Sequence, residues 1–149
     1  MELEKEIKQE KFADEHQKMV VNIIYTANWI NYSHSKFMKA YGITPQQYNI
    51  LRILKGQLPK AASVNLLIER MLDKMSNASR LVDKLKEKGL VERKPCDTDR
   101  RQVDVLITPA GINLLEEMKS GFDKFNKDFK SISIEEATEL NRIMDKLRG

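Results

Sequence analysis

The chain has 149 residues and a single cysteine, enough for one domain with a substantial core but not for an internal disulfide or a cysteine-based zinc site. Its 41% hydrophobic and 32% charged residues predict a soluble globular chain with long surface helices, and no run approaches the ~18 apolar residues of a membrane span. The formal net charge is +4, too small to imply a polycation but able to mark a surface if it is concentrated.

The opening segment, MELEKEIKQEKFADEHQK, is too charged for a signal peptide, so a cytoplasmic location is expected. Residues 10–41 are predicted as one long helix, with Met19, Val20, Ile23, Ile24, Ala27, Ile30, Phe37 and Tyr41 at spacings of three and four and Gly42 as its stop. TPQQYNILRILKG begins a second helix with Thr44 as N-cap, Pro45 at the first helical position and Gln47 closing a capping box; Gly56 is expected to end it. LPKAAS reads as a loop. Ser63 then caps a short helix to about Met71, and Ser76 caps another that runs to Lys88 and stops at Gly89.

A hairpin follows, with strands at residues 90–94 and 102–107 and Val103, Val105 and Ile107 on one face. Thr108-Pro109 opens a helix with the stripe Gly111, Leu115, Met118, Phe122, Phe125 and Phe129. Three phenylalanines on one heptad-like seam favour packing against a second chain. The last helix has Ser133 and Glu136 as a capping box and Leu140, Ile143, Met144 and Leu147 as its apolar face. The expected fold is mainly α with a small β-hairpin wing: a single domain over residues 1–149, with a winged helix-turn-helix lobe at 44–107 and a helical dimerisation lobe from 10–41 and 108–149.

The charge is concentrated. Residues 74–101 hold nine Lys/Arg against five Asp/Glu, while the rest of the chain has 17 of each. The whole excess therefore lies in the fourth helix and the hairpin, as a polyanion-binding surface requires. In SNASRLVDKLKEKG, Leu81, Val82 and Leu85 give a core face; Ser76, Asn77, Ser79, Arg80 and Lys84 lie on the N-terminal and outer side. That suits a helix whose first residues reach base edges while hydroxyls and cations hold phosphates. Arg80 is the candidate for bidentate contact with guanine. Arg100 and Arg101 at the hairpin tip could enter a minor groove, with Asp99 near enough to orient one of them. The plainer readings are a solvated amphipathic helix and a charged turn, and a winged helix that grips an acidic protein remains a rival.

LVDKLKEKGLVERKPCDTDRRQVDVLITPAG resembles the recognition-helix-to-wing signature of the MarR (multiple antibiotic resistance regulator) family. The shared features are Ser-Arg-Leu-Val at the helix start, Lys-Gly-Leu-Val-Glu-Arg at its junction with the strand, Asp-x-Arg at the tip and Leu-x-Thr-x-x-Gly beyond. TPQQYNILRIL is similar to the helix that leads into this motif. The resemblance implies a homodimeric transcription regulator, usually a repressor, with the first and the last two helices forming the dimer interface. It places Ser76, Asn77, Ser79 and Arg80 in the major groove, pairs Asp99 with a minor-groove Arg101, and makes Ser63, Lys84 and Arg93 backbone contacts. It also implies a small aromatic or phenolic effector in a cleft, near which Trp29, Tyr32, His34, Tyr48 and Arg52 are expected; aromatics at helical spacing are also what a core requires.

Cys96 lies among cations that could lower its pKa and favour oxidation, though Asp97 and Asp99 oppose this, and an incidental thiol is the simpler reading. The family's peroxide-sensing cysteine in the first helix has no counterpart beside Tyr25 and Tyr32. His16 and His34 have no metal-ligand spacing, and no catalytic motif is present, so neither a metal, another cofactor nor enzymatic activity is expected.

Overall fold

A computed structural model of the chain describes residues 1–95 and 103–149. Most helix starts are set by a side chain that accepts an otherwise orphaned backbone N–H. Asp14 accepts from Gln17 at 2.8 Å and begins α2 (Glu15–Lys39), while the Gln17 amide oxygen takes the N–H of Ala13 at 2.6 Å. The long first helix therefore starts five residues later than the apolar spacing suggests. Ahead of it, α1 (Leu3–Ile7) folds back: Leu3 is buried, Glu4 pairs with Lys18, and the Tyr25 hydroxyl donates to Glu6 at 3.0 Å. The Glu4 and Lys18 ionised states are each favoured by this contact, and Glu6 raises the Tyr25 pKa.

Thr44 and Gln47 form the expected capping box of α3 (Pro45–Gln57), but Gly56 does not end the helix. It stays helical inside the last turn, since a single glycine costs only about 1 kcal/mol there. Residues in LPKAAS contribute β1 (Ala62–Ser63), and Ser63 caps α4 (Val64–Arg70), its hydroxyl accepting from Leu66 at 3.1 Å. The cap of α5 (Ala78–Glu87) is Asn77 rather than Ser76, accepting from Arg80 at 3.0 Å. The wing strands are β2 (Val91–Pro95) and β3 (Val103–Ile107). Instead of a two-stranded hairpin, the sheet is three-stranded, in the order β1-β3-β2. The register pairs Ala62 with Val105 on one side of β3, and Val91 with Ile107 and Arg93 with Val105 on the other.

One core joins these elements. Ile50, Leu51 and Leu54 of α3, Leu67 of α4, Val82 and Leu85 of α5, and Val91 and Val105 of the sheet are fully buried together with Met38 of α2 and Met118 of α6 (Pro109–Lys127). The chain continues through a 3-10 turn (Asp128–Ser131) to α7 (Ile134–Arg148), begun by the Ser133–Glu136 capping box. The phenylalanine seam, which runs from α6 into the 3-10 turn, makes ring contacts within this chain. Phe122 meets His34, Phe37 and Tyr48, Phe125 meets His34, and Phe129 meets Trp29. The seam reaches α2 because Gly121 lets the helices approach; a Cβ there would lie 2.4 Å from the Phe37 ring. Apolar residues left exposed include Ile134, Leu140, Ile143 and Leu147 of α7, with Val20 and Ile24 of α2.

Gly111 permits the other close approach. A Cβ at this position would lie 2.4 Å from the Leu90 carbonyl oxygen and 2.7 Å from Cγ1 of Ile107, and the backbone oxygen cannot swing away. Gly111→Ala is expected to destabilise the fold by about 1–3 kcal/mol in chemical denaturation, as overpacking does; unchanged stability would mean that α6 and the wing base are not tightly joined.

Candidate nucleic-acid interface

The two faces of α5 are cleanly divided. Ala78, Val82 and Leu85 are buried, whereas Ser79, Arg80, Asp83, Lys84 and Lys86 are exposed. The turn before it, residues 71–77, is organised by hydrogen bonds. Asn49 of α3 accepts the Leu72 N–H at 2.9 Å, and the Lys74 ammonium caps α4 through the carbonyls of Ile68 (3.2 Å) and Glu69. The Asp73 carboxylate accepts from the Met75 N–H at 3.0 Å and from the Ser76 hydroxyl at 2.7 Å. These donors hold its pKa below the usual carboxylate range.

Three ties fasten α5 to its surroundings. Arg93 of β2, paired across the sheet with Val105, donates to Asp83 of α5. Thr108 donates to the Gly89 carbonyl at 2.7 Å and accepts the Gly111 N–H at 3.1 Å, clamping the helix end, wing base and α6 start together. Lys88 reaches the Gly42 carbonyl and the buried Gln47 amide oxygen, the latter at 3.2 Å. Helix and wing therefore form one body resting on the α2–α3 corner.

The residues singled out from sequence do not all have free side chains. Ser63 caps α4, Ser76 is turned to Asp73, Lys84 pairs with Glu87 at 2.8 Å and Arg93 is committed to Asp83. Asn77 is exposed while capping the helix, and Ser79 and Arg80 are exposed; among the described residues the Arg80 guanidinium makes no ion pair. Cys96, Asp99, Arg100 and Arg101 lie outside the described residues. Sequence reasoning passed over Asp73 and Met75. The first was signalled by the Asp-x-x-Ser-Asn spacing, which suits an Asx turn before a cap. Met75 gave no signal as a surface residue, yet it is 94% exposed beside the start of α5.

The five aromatic and basic residues expected near one cleft are divided. His34 and Tyr48 line a cavity of about 360 Å³ with Asn31, Met38 and Phe122, bounded by Gln46, Asn49, Leu72 and Asp73. Burial lowers the His34 pKa and raises that of Tyr48, with neighbouring Arg52 partly opposing the latter. Arg52 lies on the other side of Tyr48, in a more polar depression of about 590 Å³ with Lys55, Glu116 and Lys119. Trp29 packs on Phe129 and borders a third pocket beside α1, and Tyr32 is 70% exposed and lines none of the three. Among the described residues no cluster could hold a metal ion, and no helix is long and apolar enough to cross a membrane.

With this geometry in place, the matches to known proteins fall on the same segment. The model of the MarR family matches residues 41–102, from just ahead of α3 to the residue before β3. Over these residues, less than half of the chain, it resembles the MarR family. Relatives of this chain include the transcriptional repressor MprA of Escherichia coli, 27% identical over 116 residues, or 77% of this chain and 66% of that protein. The chain spans between about half and two thirds of the length of the first curated relatives it matches. Among solved structures, a MarR-like transcription regulator from Bacillus cereus superimposes with a TM-score of 0.80 at 21% identity, covering 90% of this chain and 96% of that one. MepR of S. aureus, solved as a DNA complex, superimposes with a TM-score of 0.78 at 20% identity, covering 92% and 97%. The winged-helix fold is thus shared over almost the whole chain.

Because Asn77 is the cap, Asn77→Ala should cost about 1 kcal/mol of stability, and Asn77→Asp should restore most of it. Equal stability of all three proteins would remove Asn77 from the helix start.

Proposed function

We propose that this chain is a DNA-binding transcriptional regulator acting as a repressor, which grips a pseudo-palindromic duplex as a homodimer. The observation that carries this reading is the exposed start of α5, with Ser79 and an Arg80 that makes no ion pair among the described residues, fixed to the cationic wing by the Asp83–Arg93 contact. A helix presented in this way suits a major groove, with its first turn toward base edges. Ser76, Asn77, Ser79 and Arg80 are assigned to that groove, Arg80 to a guanine, and Lys84 to a phosphate. Ser63 and Arg93 are assigned to the backbone as well. Arg93 acts mainly as the brace that aims the wing, whose Arg100 and Arg101, with Asp99 orienting the latter, are assigned to the adjacent minor groove. The likeness to MepR, solved on DNA, and to the repressor MprA supports both the binding and the direction of regulation.

The dimer reading rests on the exposed apolar faces of α7 and α2, which a second copy would cover, with half-sites about one helical turn or 34 Å apart. The effector reading rests on the cavity beside His34, Tyr48 and Phe122, whose size and aromatic walls suit a small aromatic molecule. Such a ligand weakens DNA binding only if it favours protomers whose reading heads are displaced. Trp29, Tyr32 and Arg52 stand outside that cavity and are not assigned to it.

Selection of duplexes from a random pool, followed by footprinting, tests the main reading. Arg80→Ala should cost about 1–3 kcal/mol on the selected duplex and relax preference at one base pair. Wild-type affinity and unchanged preference would show that α5 is not the reading element. For the dimer, a chain ending at Ile107 should sediment as a monomer, whereas a dimer of that fragment would contradict the assignment of the interface to the end helices.

A further inference from the structure

Between buried Met71 and buried Ala78, none of the six residues 72–77 is buried, and Leu72 and Met75 are 88% and 94% exposed. Packing therefore does not fix the path of the chain into α5. Hydrogen bonds do, and three of them converge on one side chain. Asp73 Oδ1 accepts from the Met75 N–H at 3.0 Å, and its Oδ2 accepts from the Ser76 hydroxyl at 2.7 Å. Gln46 of α3 donates to the same Oδ2 at 3.5 Å, and the Ser76 N–H reaches the Asp73 carbonyl at 3.4 Å. Ser76 directly precedes Asn77, the cap of α5. Asp73, Gln46, Asn49 and Leu72 also form one wall of the cavity whose other wall carries His34 and Phe122. The same short segment is thus both a cavity wall and the lead-in to the exposed helix start.

We propose that Asp73 is the positioning residue for α5, and that it transmits the state of the adjacent cavity to the first turn of that helix. The inference rests on the DNA-binding reading and deepens it, by naming the joint through which the cavity acts. A group filling the cavity must displace the Gln46–Asn49–Leu72–Asp73 wall or lock it, and so either moves Ser76 and Asn77 or holds them in place. The Asp73 pKa is low because its donors are in place, in keeping with an engaged carboxylate. The side chain is solvent-exposed, so its removal should affect aim more than global stability.

The test uses the full-length chain and a labelled duplex selected by the wild type from a random pool. Asp73→Ala should bind about tenfold more weakly, the scale of one lost hydrogen bond to a charged group, with an unchanged salt slope and melting temperature. Asp73→Asn, which keeps the Oδ1 acceptor, should recover part of that loss. Ser35 of α2 also lines the cavity, and Ser35→Trp fills the space without requiring a ligand. It should shift duplex affinity about fivefold in the wild-type background and less than twofold in Asp73→Ala, because coupled sites are non-additive. Gln46→Ala gives a second entry into the same cycle should Asp73→Ala fail to fold. Wild-type affinity in Asp73→Ala, or Ser35→Trp effects that are the same in both backgrounds, would overturn the proposal. If the wild type selects no duplex at all, the underlying DNA-binding reading falls, and that result is distinct from a normal selection with an inert Asp73.

Discussion

The structure depends on the joining of α5 to the wing. A helix that must show one face to a partner has only the other face with which to hold its place, and here that face is Ala78, Val82 and Leu85. Apolar packing of three small or medium side chains sets the depth of the helix but leaves rotation about its axis weakly specified. The directional contacts supply what packing lacks. Asp83 to Arg93 fixes the rotation, Thr108 to Gly89 fixes the C-terminal end, and Lys88 ties that end to the α2–α3 corner. An exposed ion pair alone would contribute little, about 0–1 kcal/mol. Its value is geometric: it makes two cationic elements point the same way.

The charge distribution follows the same division. Arg93, Lys84, Lys74 and Lys88 all belong to the basic segment, yet each is engaged within the protomer. Counting cations along the chain locates the surface but overstates how many are free to meet a phosphate. Arg80 and Lys86 are the cations of α5 that combine an outward position with no described ion pair, and the proposed reading leans on Arg80 because it lies in the first turn.

Much of the fold was legible because capping chemistry is local. Thr44–Gln47, Ser63 and Ser133–Glu136 act where the sequence places them. The departures arise where two local signals compete or where a distant partner decides. Ser76 and Asn77 are both good caps, and the claim of Asp73 on the Ser76 hydroxyl leaves the role to Asn77. Ala62 joins the sheet because β3 offers it an open edge, which no local pattern reveals. The phenylalanine seam resembled a coiled-coil stripe, but the glycine in its middle lets α6 reach α2 of the same chain. The winged-helix outline that the MarR resemblance implies matches the observed fold, while the separation of Trp29, Tyr32, His34, Tyr48 and Arg52 depends on helix crossings that a sequence does not display.

The central claim is that the joined helix and wing meet the phosphates and grooves of duplex DNA, rather than an acidic protein surface. Its most direct test is the affinity of the wild-type chain for its selected duplex between 50 and 200 mM salt, a range over which phosphate contacts change binding by orders of magnitude. The account predicts a straight log–log plot falling with a slope of several units, and weak binding to an acidic polypeptide of matched charge. A shallow slope, or equal binding to the polypeptide, would contradict it.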